Sequence, residues 1–440
     1  MGNDVLKVAM YLQTDELKNK VEFEKVLPVM RNADADIVVF PETCYVPFVE
    51  EMIGSDILNQ KDMERAFLSC LELSESIGKA VIVSSYDVWG TIFSIFANFG
   101  AGENETKTNL YIKHTMTEYS CLDLEDYADV AACIFDPILI KNFLVGMTIC
   151  YDCNHALFSR IYGYYGIDLI INSTGGDVIY DKWFKYNKVR AIENRCSTLV
   201  TMGGDGRKEN SNNYVLGFNG NGGMITPINL NGCSDKNNCP GGLYLYEIAK
   251  EPGMAEPDKS NLTETENKNW QMEFPVGKSA DIIKDSKRIS DMIYCKKIGN
   301  ENVVFLLVDG MDILKPEIVQ PLLYSDIIKN IPNRRYIIIN RHDTVDEKFF
   351  IEKLSIVLKV RSMENFCAVI LESQNINKCY QCGKNRTAQV VKVVNEMFRI
   401  DLERTSGPEA IWKNKQGMRA SWRKNYEWLV NNAESIYKEQ

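Results

Sequence analysis

Short apolar runs alternate with stretches of helical periodicity through the first 250 residues. Val5 to Leu12, Ile37 to Phe40, Ala80 to Ser84, Val145 to Ile149, Leu169 to Asn172 and Leu199 to Met202 have strand length, and most are rich in β-branched residues. With helical patterns between them, they predict an α/β domain built around a sheet core. The run from Glu251 to Asn269 breaks this rhythm with two prolines, many charges and no apolar periodicity, the composition of a linker or solvated loop. Beyond it, Val303 to Val308, Arg335 to Asn340 and Phe366 to Leu371 read as buried strands. They are separated by amphipathic stretches around Pro316 to Lys329 and Asp346 to Val360. Strand, helix, strand, helix, strand predicts a second, smaller α/β unit with a parallel core. A last helical stretch, Ser421 to Tyr437, carries Trp422, Tyr426, Trp428 and Leu429 for packing on that unit. The chain is therefore read as residues 1–250, a linker or extension over 251–290, and an α/β domain over 291–440. No internal repeat stands out.

Composition narrows the function classes. A net charge of −10 lacks the basic field that phosphate-backbone binding needs, so nucleic acid is an unlikely partner on this reading. No apolar run reaches the roughly 18 residues of a membrane span, and no signal-peptide pattern opens the chain, so a soluble, cytoplasmic protein is expected. Thirteen cysteines, an odd number scattered singly, fit reduced thiols better than a disulfide framework.

Three segments each bring a reactive group to the end of an apolar run. After Ile37 to Phe40, Pro41 stops sheet pairing and Glu42 follows; a carboxylate at the mouth of an apolar core is poorly solvated, which suits a general base. In Asn109 to His114, strand alternation sets Tyr111 and Lys113 on one face, and an inward lysine needs a carboxylate or a developing anion to face. Val145 to Asp152 delivers Cys150 to a sharp turn ahead of a helical run from Ala156. A thiol there is expected to gain thiolate character from the helix N-terminus and nearby cations. Taken singly, each has a plain alternative: a capping glutamate, a solvated strand-edge lysine, an inert buried thiol.

Together, Pro41-Glu42-Thr43, Tyr111 with Lys113-His114, and Gly146 with Ile149-Cys150-Tyr151-Asp152 resemble the signature segments of the carbon-nitrogen hydrolase (nitrilase) superfamily, in that family's order. The strand Gly166 to Ser173, Trp183 and the run from Arg190 to Asn194 are similar to further family features. The resemblance covers about the first 250 residues. It implies a four-layer α-β-β-α sandwich, assembled as a homo-oligomer, that hydrolyses non-peptide C–N bonds of small amide-type substrates through a thioester without metal or organic cofactor. In that scheme Glu42 is the base, Cys150 the nucleophile, and Lys113 with the backbone N–H of Tyr151 holds the oxyanion. The family's second glutamate has no firm counterpart; Glu118 and Glu125 are the candidates. Tyr45, Asn172 and Ser173, just beyond the motif strands, are candidates for lining the substrate site. An amide or carbamoyl substrate is favoured over a nitrile; acyl transfer from the same thioester and a catalytically silent scaffold are the competing readings.

Other signals are weaker. Cys150 with Cys153, or Cys379 and Cys382 with Cys233 and Cys239, lack the spacing of a metal site. Gly217 to Gly223 is read as turns rather than a phosphate cradle. In the second domain, Asp309-Gly310, Arg341-His342 and Glu372-Ser373 fall at the carboxyl ends of the expected parallel strands, where open sheets bind ligands. Downstream, Gly383 to Gln389 and Arg404 to Pro408 add donors that would suit an anion. That domain is therefore expected to be regulatory, taking a small ligand or a protein partner.

Overall fold

Helix α2 (Gln60–Ile77), which follows α1 (Lys20–Asn32), shows how local chemistry sets an element's limits. The Asn59 side chain caps its start by accepting from the Lys61 and Asp62 N–H groups, and Gly78, at φ +73°, ends it in the left-handed conformation glycine tolerates best. Its buried face, Ala66, Cys70, Leu73, Ser74 and Ile77, follows helical spacing, and the helix lies against the strands Ala80–Tyr86 and Ile92–Ala97.

The computed structural model describes residues 5–12, 20–42, 56–57, 59–87, 92–115, 135–175, 178–203, 214–230, 242–250, 272–277, 279–325, 328, 330–383 and 387–407. Tyr45, Glu118, Glu125, Cys233, Cys239, the run from Glu251 to Asn269 and the terminal stretch from Ser421 to Tyr437 lie outside the described residues. The chain divides into two compact units, Met1–Ala255 and Glu256–Glu439.

In the first unit, twelve strands are described: β1 (Val5–Leu12), β2 (Ile37–Val39), β3 (Ala80–Tyr86), β4 (Ile92–Ala97), β5 (Thr108–Ile112), β6 (Ile138–Ile140), β7 (Phe143–Ile149), β8 (Leu169–Gly175), β9 (Ser197–Gly203), β10 (Tyr214–Phe218), β11 (Ile228–Asn229) and β12 (Gly242–Ala249). They form a sheet in the order β11-β12-β1-β2-β3-β4-β5 and another in the order β10-β9-β8-β7-β6. The centre of each is parallel: β1 with β2 and β2 with β3 in one, β7 with β8 and β8 with β9 in the other. Strands β1, β4 and β5 of the first sheet touch β9, β10 and β7 of the second, and the Thr201 hydroxyl donates to the Tyr11 carbonyl at 2.9 Å. Helices α3 (Ala156–Tyr164) and α4 (Tyr180–Asn194) pack on each other, and α4 also on β9 and β10. Gly146 permits the approach of β7 to α3, because a Cβ there would stand 2.7 Å from the Tyr162 ring.

The second unit carries β13 (Met272–Pro275), β14 (Lys287–Arg288), β15 (Ile293–Ile298), β16 (Glu301–Asp309), β17 (Arg334–Arg341), β18 (Ala368–Glu372), β19 (Lys378–Cys382), β20 (Ala388–Val390), β21 (Val393–Val394) and β22 (Met397–Ile400). A seven-stranded sheet runs β14-β15-β16-β17-β18-β19-β20, with β16, β17 and β18 parallel as their apolar runs predict. Helix α5 (Pro316–Tyr324) joins β16 to β17; a helical stretch ending in α6 (Ser355–Glu364) joins β17 to β18. Alternate residues of the sheet, among them Val303, Phe305, Leu307, Ile337 and Ile339, form a core with Phe398 and Ile400 of the small sheet β13-β22-β21.

The expectation that the chain contains no repeat does not hold. Lys188-Val189-Arg190-Ala191-Ile192-Glu193-Asn194-Arg195-Cys196 and Lys359-Val360-Arg361-Ser362-Met363-Glu364-Asn365-Phe366-Cys367 agree at six of nine positions. Both run from the last turns of a helix up to the residue before the next strand. In sequence the repeat is only nine residues long, so hydrophobic patterning alone does not expose it.

Candidate active site

Glu42, Lys113 and Cys150 converge at one end of the two sheets of the first unit. Glu42 lies three residues past β2, and Lys113 directly follows β5, its N–H bonded to the Ile92 carbonyl at 2.8 Å. The Lys113 ammonium donates to Glu42 Oε1 at 2.5 Å, with both side chains buried, and the Gly175 N–H donates to Glu42 Oε2 at 3.1 Å. Each carboxylate oxygen is therefore engaged, which a buried charge requires. Gly175 is needed here, since a Cβ on it would meet the Glu42 carbonyl oxygen at 2.6 Å.

Cys150 is the first residue after β7, at φ +47°, a conformation uncommon for any residue with a Cβ. Such a turn projects the side chain out of the strand and opens a single 3₁₀ turn, Cys150–Asn154, that leads toward α3. Hydrogen bonds pin the turn from below. Asn172 donates to the Cys150 carbonyl at 3.2 Å and to Thr148 Oγ1 at 3.0 Å, Thr174 donates to Asn172 Oδ1 at 2.5 Å, and Trp183 Nε1 donates to Thr174 Oγ1 at 3.1 Å. From α4, Arg190 Nε reaches the Cys153 carbonyl at 2.9 Å while its guanidinium pairs with Glu193. The buried Asp152 accepts from the Tyr111 hydroxyl at 2.8 Å and from the Thr115 N–H at 2.8 Å, tying the elbow to the lysine-bearing segment.

Electrostatics give these groups distinct roles. Burial, and then the Glu42 carboxylate, push the Cys150 thiol well above its ordinary range, against the opposing pull of Lys113. The expected thiolate character is thus absent at rest: desolvation and the Glu42 carboxylate outweigh the cation. Burial alone would lower the Lys113 pKa, but Glu42 above all, with Asp152, more than offsets it, so the lysine stays charged. Burial raises Asp152 to about 6, with Lys113 and the hydrogen bonds from Thr115 and Tyr111 opposing it. The neighbouring His114, stacked between Phe135 and Phe158 at centroid distances of 4.8 and 4.7 Å, is lowered by burial to about 3 and is neutral. The arrangement is a neutral thiol beside a carboxyl group placed to act as base and a fixed cation.

Of the candidates for lining the substrate site, Asn172 is fully buried with its amide nitrogen committed to the elbow, Ser173 is buried, and Tyr151 turns its ring toward His155 and Trp183 at 5.7 and 6.1 Å. Sequence reasoning assigned no role to Gly175, Thr174 or Asp152. Asp152 was legible as a motif residue. Gly175 carries no local signal, because its importance comes from a residue 133 positions away. Among the described residues no group of three or more His, Cys, Asp or Glu side chains could hold a metal ion, and no helix is long and apolar enough to cross a membrane.

No family model matches the chain, and no curated protein matches it. Solved structures do. An amidase from Nesterenkonia sp. shares 14% identity, with 57% of this chain and 92% of that one covered and a TM-score of 0.40. A carbon-nitrogen hydrolase from Helicobacter pylori G27 shares 13% identity, covering 56% of this chain and 89% of that one at a TM-score of 0.39. A mutant of the Nesterenkonia amidase bearing the acetamide moiety of fluoroacetamide on its active-site cysteine matches at 14% identity, covering 56% and 90%, with a TM-score of 0.39. The likeness is thus to an amidase described as from the nitrilase superfamily and to a carbon-nitrogen hydrolase, over about 56% of the chain.

Proposed function

We propose that the first unit is a four-layer α-β-β-α hydrolase that cleaves the C–N bond of a small amide or carbamoyl compound through a thioester on Cys150. The observation that carries this reading is the buried Lys113–Glu42 contact of 2.5 Å beside a cysteine held at φ +47°. A buried ion pair is a poor device for stability alone, whereas a fixed base and a fixed cation facing a thiol are what acyl transfer requires. Glu42 takes the proton from Cys150 Sγ as sulfur attacks the carbonyl carbon. Charge developing on the carbonyl oxygen falls to the Lys113 ammonium and the backbone N–H of Tyr151. Collapse of the tetrahedral species breaks the C–N bond, and the departing amine takes the proton from Glu42. Water, deprotonated by Glu42, then attacks the thioester, releasing the acid and returning the proton to sulfur. The raised thiol pKa fits this order, since proton removal is coupled to attack rather than completed beforehand.

The test is intact-mass analysis of the full chain and of Cys150→Ala during incubation with small amides, carbamoyl compounds and nitriles. Acyl adducts and acid release that require Cys150 are expected, with amides or carbamoyl compounds as the productive class. Turnover that persists in Cys150→Ala would remove Cys150 from the mechanism, and transfer to added amines in place of water would make the enzyme an acyltransferase.

A further inference from the structure

The repeat around Arg190 and Arg361 belongs to a larger correspondence. In the first unit the strand order β10-β9-β8-β7-β6 has β7, β8 and β9 parallel and both flanking strands antiparallel. Strands β19-β18-β17-β16-β15 of the second unit repeat that order and those directions, with helices in the same places. The registers agree as well: Thr148 pairs with Asn172 and Ile149 with Ser173, as Val308 pairs with Asn340 and Asp309 with Arg341.

On this alignment the residue at the nucleophile elbow is Gly310. It sits at φ +52° against +47° for Cys150, directly after its strand, and opens a 3₁₀ turn of the same length, Gly310–Leu314. Its carbonyl accepts from Asn340 Nδ2 at 2.9 Å, as the Cys150 carbonyl does from Asn172. The Asn340 side-chain oxygen is bonded to His342 two residues on, at 2.9 Å, where Asn172 uses Thr174. Arg361 Nε donates to the Ile313 carbonyl at 3.0 Å and its guanidinium pairs with Glu364, matching Arg190 with Cys153 and Glu193. Asn365 and Asn194 each donate back to their arginine's carbonyl at 2.9 Å, and the next residues, Phe366 and Arg195, both turn left-handed at φ +47° and +53°.

Sulfur and its partners are what differ. Gly310 has no side chain. Asp312, the counterpart of Asp152, is partly exposed and paired with Lys315. The sheet face that in the first unit meets β1, β4 and β5, the last of which leads to Lys113, is closed in the second by Phe398 and Ile400 of the small sheet. We infer that the second unit is a copy of the nucleophile-bearing half of the first that kept the elbow and its clamp but carries glycine in place of the nucleophile, giving the chain one reactive elbow and one silent one. The correspondence does not depend on the proposed hydrolysis, because it is one of backbone and hydrogen bonds; the contrast of a reactive with a silent elbow rests on that reading.

The experiment pairs the elbows in the full chain. Asn172→Ala and Asn340→Ala are compared with the parent by hydrogen exchange resolved to peptides, and Gly310→Cys is labelled with iodoacetamide and mapped by mass spectrometry. Each asparagine variant should speed exchange about tenfold or more in its own turn, 150–154 or 310–314, and leave the other unchanged. The new thiol should be alkylated in the folded protein, because a Cβ at Gly310 meets no heavy atom within 4 Å. Cys150→Ala with Gly310→Cys should show no amide turnover. Unchanged exchange at 310–314 in Asn340→Ala, or a thiol at 310 that reacts only after unfolding, overturns the correspondence; turnover dependent on the thiol at 310 overturns the silence. Failure of the hydrolase reading would leave the exchange and labelling results standing.

Discussion

Glu42 acts on Cys150 in two opposed ways, and the two can be separated. Its charge raises the thiol pKa, while its basicity removes the thiol proton during attack. Glu42→Gln leaves Lys113 charged beside sulfur without its counterion, so the thiol pKa falls. Alkylation of Cys150 by iodoacetamide at pH 7 should therefore quicken, even as amide turnover drops by about 10² or more for loss of the general base. Slower alkylation would show that Glu42 does not raise the thiol pKa. The residues of this site were visible as types at the ends of apolar runs. Their partners were not: that Lys113 faces Glu42 across 71 positions depends on the strand order within one sheet, and that Asp152 receives Tyr111 depends on two sheets meeting.

Elements, more than single side chains, hold the elbow in place. Helix α4 supplies Arg190, whose guanidinium is fully buried and satisfies both the Cys153 carbonyl and Glu193. Arg190→Met should lower unfolding free energy by about 3–5 kcal/mol, since it takes the arginine's charge away from a buried carboxylate, and urea denaturation would read the loss. Arg190→Met/Glu193→Met should recover a good part of it, because an apolar pair removes the buried carboxylate as well; failure to recover would place the cost in the Cys153 carbonyl contact. Strands β7, β8, β16, β17 and β18 were legible because each is a buried parallel strand with a continuous apolar run. Short strands such as β6, β11, β14 and β21, of two or three residues, carry no periodicity to read and exist because a neighbour offers an edge.

Two fully buried titratable groups make the first unit respond to pH as a whole. His114 is lowered from 6.5 to about 3, so its contribution to stability is complete above pH 6.5 and is lost as pH falls toward 3. Asp152 is raised from 3.8 to about 6, so its contribution is complete below 3.8 and is lost as pH rises through 6. Between pH 6 and 4 the two oppose each other. Asp152→Asn removes the compensation, and the unfolding free energy of the variant should fall more steeply on acidification over that window, by up to about 1.4 kcal/mol per pH unit. Parallel pH profiles for parent and variant, followed by chemical denaturation, would show that Asp152 does not titrate there. By itself the sequence determined the alternation of strand and helix, two α/β regions, and the residues with reactive chemistry, because hydrophobic period and residue type are local properties. Only the tertiary structure decided that Glu42, Lys113 and Cys150 meet, that the thiol rests protonated, and that Gly310 repeats the elbow of Cys150. Desolvation, ion pairing and backbone register are set by what lies across a sheet, at separations no local pattern encodes.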